Sequence, residues 1–229
     1  MKRIILVMPF LFIAVLLLGL SYRAGNLSLN FPDENRYPLR GIDVSHNNGP
    51  IDWTAVPREK YDFAYIKATA GGDWTDPFFT ANWNNAREAG IKVGASHDFS
   101  LCRDATEQAL HFIATAPRDN DALAPAVDLA YAGDCKTRPA RAEFLTAFDS
   151  FMAILAAHYG TPPVIYSTRA FYRDYLADTS YAENPLWVRS IFGAPRLQEP
   201  HEWHMWQYAS NAHIPGIDGP VDVNIMRTN

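Results

Sequence analysis

Along this chain, short apolar runs of four to six residues alternate with longer stretches whose apolar positions recur every three to four residues. The runs at 41–44, 63–68, 92–96, 124–129, 163–166, 186–189 and 203–208 read as strands, and the patterns at 76–89, 105–116, 138–158 and 167–176 read as helices. The Gly160-Thr-Pro-Pro163 segment ends the longest helix, because proline has no N–H to continue it. Repeated strand and helix units predict a parallel α/β barrel. The final third carries strands with little helix between them, so eight complete units are not expected.

The N-terminus follows a different pattern. Met1-Lys-Arg3 precedes an apolar stretch over residues 4–20, interrupted only by Pro9 and Gly19. A cationic start followed by a hydrophobic run is the pattern of an export signal. No small-x-small cleavage site follows Leu20, and the stretch meets the lower limit of about 17 residues for a membrane span. Residues 1–22 are therefore expected to be a signal peptide or an uncleaved membrane anchor, residues 23–39 a linker rich in Asn, Ser and Pro, and residues 40–229 the globular part outside the cytoplasm.

Composition narrows the partners. With 229 residues, 48% hydrophobic and 20% charged, the chain suffices for one domain with a sizeable core. Its formal charge of -5 supplies no basic field for nucleic acid. Aromatic residues make up 13%, and rings not used in the core can stack on sugars. Both cysteines, Cys102 and Cys135, follow predicted strand ends in the exported part, so a disulfide between adjacent loops is expected in an oxidising compartment, two free thiols being the alternative.

Nine motifs then follow one another in order: Gly41-Ile-Asp-Val-Ser45, Ile51-Asp-Trp53, Phe63-Ala-Tyr-Ile-Lys-Ala-Thr69, Thr75-Asp-Pro-Phe-Phe79, Ala89-Gly-Ile-Lys-Val-Gly-Ala95, Pro163-Val-Ile-Tyr-Ser167, Leu186-Trp-Val188, Trp203-His-Met-Trp-Gln-Tyr208 and Gly216-Ile-Asp-Gly-Pro-Val-Asp-Val-Asn224. Together they resemble glycoside hydrolase family 25, the muramidases called Chalaropsis-type lysozymes. The resemblance covers the chain from about Arg40 to its end. It implies an irregular TIM-like α/β barrel of about five strand-helix units followed by three strands. It also implies hydrolysis of the bond between N-acetylmuramic acid and N-acetylglucosamine in peptidoglycan, by a monomer without metal or organic cofactor, at the periplasmic face of the inner membrane or as a secreted protein. A membrane would be met through the N-terminal segment only.

Cutting a glycosidic bond needs an acid to protonate the leaving oxygen and a second group to stabilise charge at the anomeric carbon. In the resembled family an Asp-x-Glu strand supplies both. Here Ala124-Pro-Ala-Val-Asp-Leu-Ala130 gives Asp128 for the Asp but Ala130 at the acid's place. Asp43 and Asp222 complete the acidic cluster by the same resemblance. Three more positions depart from the family pattern, Ala70 where Glu is usual and Ser96 and Asp98 flanking His97 where aromatics are usual, and by the same resemblance all four residues are expected to bind substrate in the cleft. Lys67, Tyr166, Trp187, Trp206 and Gln207 match positions that line the sugar cleft, with burial in the barrel core as the competing reading of each. Three accounts of Ala130 stay open: natural loss of catalysis, deliberate Glu-to-Ala replacement, or an acid supplied from elsewhere, Asp98 being nearest. The expected functions are accordingly an impaired muramidase, a peptidoglycan-binding pseudoenzyme, or an interaction protein using the barrel as scaffold. His201-x-x-His204 lacks the His-Glu-x-x-His order of zinc hydrolases, so no metal site is expected.

Overall fold

The structure, a computed structural model, describes the chain apart from residues 1, 24, 26–28, 132–134, 198–201 and 229; the side chains of residues 2–11, 23, 182 and 183 are likewise outside the description. Nine strands are described: β1 (Leu39–Val44), β2 (Phe63–Ala70), β3 (Trp74–Thr75), β4 (Lys92–Asp98), β5 (Ala126–Leu129), β6 (Val164–Thr168), β7 (Leu186–Arg189), β8 (Trp203–Ala212) and β9 (Val221–Met226). Eight of them form a barrel in the order β1-β9-β8-β7-β6-β5-β4-β2, closed by pairing of β1 with β2, while β3 hangs on the end of β2 as a two-residue hairpin. Strand β9 runs antiparallel to both its neighbours. Its link from β8 spans only residues 213–220, too short for the crossover of a dozen or more residues that a parallel return requires.

Helices α2 (Phe79–Glu88), α3 (Ala105–Thr115) and α4 (Arg141–Tyr159) follow β2, β4 and β5, and a short α5 (Arg169–Phe171) passes into a π turn (Tyr172–Leu176) after β6. After β1 the chain makes only a 3₁₀ turn (His46–Asn48) before β2, so the first unit has no α-helix. The long α4 forms because Phe144, Phe148, Phe151 and Leu155 fall on one face, all buried against the sheet. It stops at Gly160, whose φ of 74° is open to glycine without strain. Asp104 caps α3 by accepting the Glu107 N–H at 2.9 Å.

Inside the barrel a second, smaller core is made by Phe63, Tyr65, Ala126, Val164, Tyr166, Trp187 and Met205. Two glycines make room for its rings. A Cβ on Gly41 or Gly94 would lie 2.3 Å from Phe63 or 2.4 Å from Tyr65, the cross-strand neighbours. This aromatic plug fills the barrel beneath the carboxyl-end rim.

Among the described residues no helix lies between β7 and β8 or between β8 and β9. Part of the segment read as a linker lies against β8: Asn30 and Pro32 are buried, Asn30 donates to the Ile191 and Tyr208 carbonyls at 2.7 and 3.1 Å, and Tyr37 packs on Trp203. Helix α1 (Lys2–Arg23) precedes it, with Phe12 and the leucines at 16–18 and 20 exposed. Among the described residues no helix is long and apolar enough to cross a membrane; the side chains of the first half of α1 lie outside them.

Candidate active site

Strand alternation sets which residues face into the mouth of the barrel. Asp43 near the end of β1 stands directly opposite Asp222 at the start of β9. Asp98 on β4 is the register partner of Asp128 on β5, which neighbours Tyr166 on β6, which neighbours Trp187 on β7. With Lys67, Ser96, Asn47, Asn48 and Ser210 these residues line a cleft of about 470 Å³ at the carboxyl-end rim, where such barrels carry their active sites.

The carboxylates perturb one another. Burial first, then the charge of Asp222, pushes Asp43 well above the usual carboxylate range, although the Asn224 side chain donates to its Oδ2 at 2.8 Å. Burial also raises Asp222, opposed by a hydrogen bond from Gln207 and the positive charge of Arg189. The two carboxyl groups therefore titrate as a coupled pair, both raised above the ordinary range. Asp128 is likewise raised well above its ordinary range, by burial and then by Asp98, and its Oδ1 has no hydrogen-bond partner. Lys67 sits across the cleft with Nζ 2.5 Å from Asp98 Oδ2. That ion pair commits one oxygen of Asp98 to Lys67.

Beneath the cleft a relay of hydrogen bonds fixes the acids. Trp187 donates through Nε1 to Asn224 Oδ1 at 2.8 Å, Asn224 donates to Asp43, and Tyr166 donates to Gln207 Oε1 at 2.6 Å. Tyr166 and Trp187 therefore serve both as barrel core and as cleft floor. Gln207 is 1% exposed and acts on Asp222 from below. Asn224 and Arg189 were not singled out from sequence. The i, i+2 spacing of Asp222 and Asn224 on one strand face was the available signal for the first.

Two expected cleft residues lie elsewhere. His97 alternates with Ser96 and Asp98, so its ring points out of the barrel into the layer under α3 and α4, stacked on Phe151. It is fully buried, its Nδ1 is 2.7 Å from Thr69 Oγ1 and its Nε2 3.3 Å from Gln108 Oε1, and burial lowers its pKa to about 3. We assign the neutral tautomer with the proton on Nε2. Trp206 alternates with inward-facing Gln207 and packs on the outer wall between Trp203 and Tyr208, donating to the Ser190 carbonyl at 2.8 Å. His201 lies outside the described residues, and His204 is half-buried beside Arg227.

Ala70 ends β2 and Ala130 follows β5, and both face one side cavity of about 240 Å³ that shares Asp98 and Asp128 with the main cleft. Arg103, Tyr131 and Arg138 form its outer wall. The expected disulfide is formed between Cys102 and Cys135 and ties together the two loops that carry these arginines. The two alanine departures thus fall on one spot, and neither brings a carboxyl group there.

A closed barrel with acidic residues gathered at its carboxyl-end mouth is the arrangement of a glycoside hydrolase. Residues 42–217 match the model of glycosyl hydrolases family 25, and the chain belongs to that family. It is 32% identical to lysozyme M1 of Streptomyces globisporus over 197 residues, covering 81% of this chain and 67% of that one. It is 31% identical to the uncharacterized protein YegX of Escherichia coli K12 over 195 residues, covering 83% and 70%. Among solved structures it superposes on a family 25 glycosyl hydrolase from Bacillus anthracis with a TM-score of 0.79 and 32% identity, covering 85% and 91%.

Proposed function

We propose that this protein binds peptidoglycan glycan strands in the acidic cleft, and that Ala130 leaves it impaired in hydrolysing the bond between N-acetylmuramic acid and N-acetylglucosamine. The observation that carries the reading is the side cavity: Ala130 and Ala70 both open onto it beside Asp128. The retained parts have clear roles. Asp128 stabilises positive charge developing at the anomeric carbon or orients the neighbouring acetamido group, and its unpartnered Oδ1 is free for that contact. Asp43 and Asp222, steadied by Asn224 and Gln207, keep the mouth acidic, and Tyr166 and Trp187 offer ring surface to the sugars. What is missing is a proton donor for the leaving oxygen. General acid catalysis contributes about 100- to 10,000-fold, so the residual rate is expected to be small.

Because both substitutions face the same cavity, a glycan-binding pseudoenzyme is the second reading. On either, the protein works as a monomer on the outer side of a membrane, with α1 as signal or anchor; the apolar stretch over residues 4–20 is at the lower limit of about 17 residues for a span. Binding is tested by co-sedimentation with insoluble peptidoglycan and displacement by soluble N-acetylmuramic acid/N-acetylglucosamine oligomers. Retention with displacement is the expected result, and a chain that stays in the supernatant refutes glycan binding.

A further inference from the structure

The side cavity has the attributes of a binding site in its own right. About 240 Å³ is room for several waters, each taking about 30 Å³ in the liquid, and so for a small organic acid. Asp98 and Asp128 line its inner side, and each has a buried Oδ1 without a hydrogen-bond partner. Arg103 and Arg138 line its outer side. Arg138 gives Nη1 to the Cys135 and Thr137 carbonyls at 3.2 and 2.7 Å and lies 4.2 Å over the Tyr131 ring, which fixes it in place with other N–H groups still to donate. Arg103 is paired only loosely with Asp73, at 3.6 Å. Between the two walls, Ala70 and Ala130 contribute no polar side-chain group.

We propose that this cavity is a site for a carboxylic acid supplied from outside the chain, which stands in for the side chain that Ala130 lacks. The inference rests on the muramidase reading of the cleft. A carboxylic acid there sets its carbonyl oxygen toward Arg103 and Arg138 and its O–H toward Asp128 and the sugar above it. The O–H proton passes to the glycosidic oxygen as the bond from the anomeric carbon to that oxygen breaks. The leaving sugar departs as an alcohol and the acid stays as carboxylate. Water then adds to the anomeric carbon and returns its proton to the carboxylate, so the acid is regenerated and one water is consumed per bond. The carboxyl group has two sources, a small free acid or the stem peptide of peptidoglycan itself.

The test uses the full chain at pH 5 and constant ionic strength, with acetate titrated into a non-carboxylate buffer while reducing ends are released from purified peptidoglycan. A saturable rise of at least about tenfold is expected, a part of the general-acid factor. Ala130→Glu should cleave without acetate and ignore it. Ala130→Gln fills the cavity without a proton to give and should neither cleave nor respond, and Arg138→Gln should raise the half-saturating acetate concentration. Intact peptidoglycan is compared with strands freed of stem peptides. Acetate dependence on both points to a free acid, whereas acetate-independent cleavage lost on stripping and restored by acetate points to the stem; both outcomes support the site. A rate indifferent to acetate on both substrates, with Ala130→Glu active, overturns the proposal and leaves the muramidase reading intact. An inactive Ala130→Glu instead sinks that reading, and the site is then judged by ¹³C-acetate binding in NMR spectra: binding abolished in Ala130→Gln supports it, and none in the parent chain overturns it.

Discussion

His97 offers a test that separates a sugar-binding histidine from a core one. In the fold its ring is buried, neutral and hydrogen-bonded to Thr69 and Gln108, with a pKa lowered to about 3 from an ordinary 6.5. A depressed folded-state pKa means that the unfolded chain binds the extra proton below pH 6.5. The stability due to neutral His97 is therefore full above pH 6.5 and is lost progressively as pH falls toward 3. At pH 5 the loss is about 1.5 pH units at 1.36 kcal/mol each, or about 2 kcal/mol. For a chain of this length that is roughly 4–8 °C in Tm. His97→Gln keeps a hydrogen-bonding side chain but does not titrate, so its own destabilisation is the same at every pH. Melting both proteins by circular dichroism at pH 7 and pH 5 cancels the slopes of Asp43, Asp128 and Asp222, which they share. The parent should lose roughly 4–8 °C relative to the variant across that interval. Parallel shifts within about 1 °C would show that His97 is solvated, and the outward register of β4 would be wrong.

Three further outcomes follow from the geometry. Gly94→Ala drives a Cβ to 2.4 Å from the Tyr65 ring and strains the Tyr65 hydrogen bond to the Ala124 carbonyl; overpacking and that bond together cost about 2–4 kcal/mol by urea unfolding, and a loss under about 0.5 kcal/mol contradicts the plug. Asp98→Asn removes the charge that helps raise Asp128 and frees Lys67 beside it, so the Asp128 carboxyl should titrate at lower pH by ¹³C NMR; an unmoved or higher midpoint opposes the reading. Replacing Cys102 and Cys135 by Ser reopens a 33-residue separation and should lower stability by about 3–4 kcal/mol on chain-entropy grounds, with a loss under about 1 kcal/mol counting against a stapled pair of loops.

Much of the barrel was legible because period-2 and period-3.6 patterns report burial directly. The strand of residues 186–189 and helix 105–116 were placed within a residue of β7 and α3. The hairpin strand β3 was not, since two residues carry no period. Residues 30–39 showed no pattern for a related reason: Asn30 and Arg40 hold that stretch through side-chain bonds to carbonyls, which leave no apolar rhythm. The acidic cluster was legible through motifs, but matching motifs as blocks lost the alternation within them. His97 and Trp206 sit between inward-facing neighbours and point the other way. Arg103 and Arg138 gave no signal at all, because only the Cys102–Cys135 bridge and the loop folds bring them to Ala130.

The central claim, that the cleft is a muramidase site lacking only its acid, is tested most directly by restoring that acid. Reducing-end release from purified peptidoglycan is measured for this chain and for Ala130→Glu in a carboxylate-free buffer. The account predicts that the Glu form is faster by about 100-fold or more. Its products should carry N-acetylmuramic acid at the new reducing ends by mass spectrometry. Equal rates would mean that another group already serves as acid, and would contradict the account.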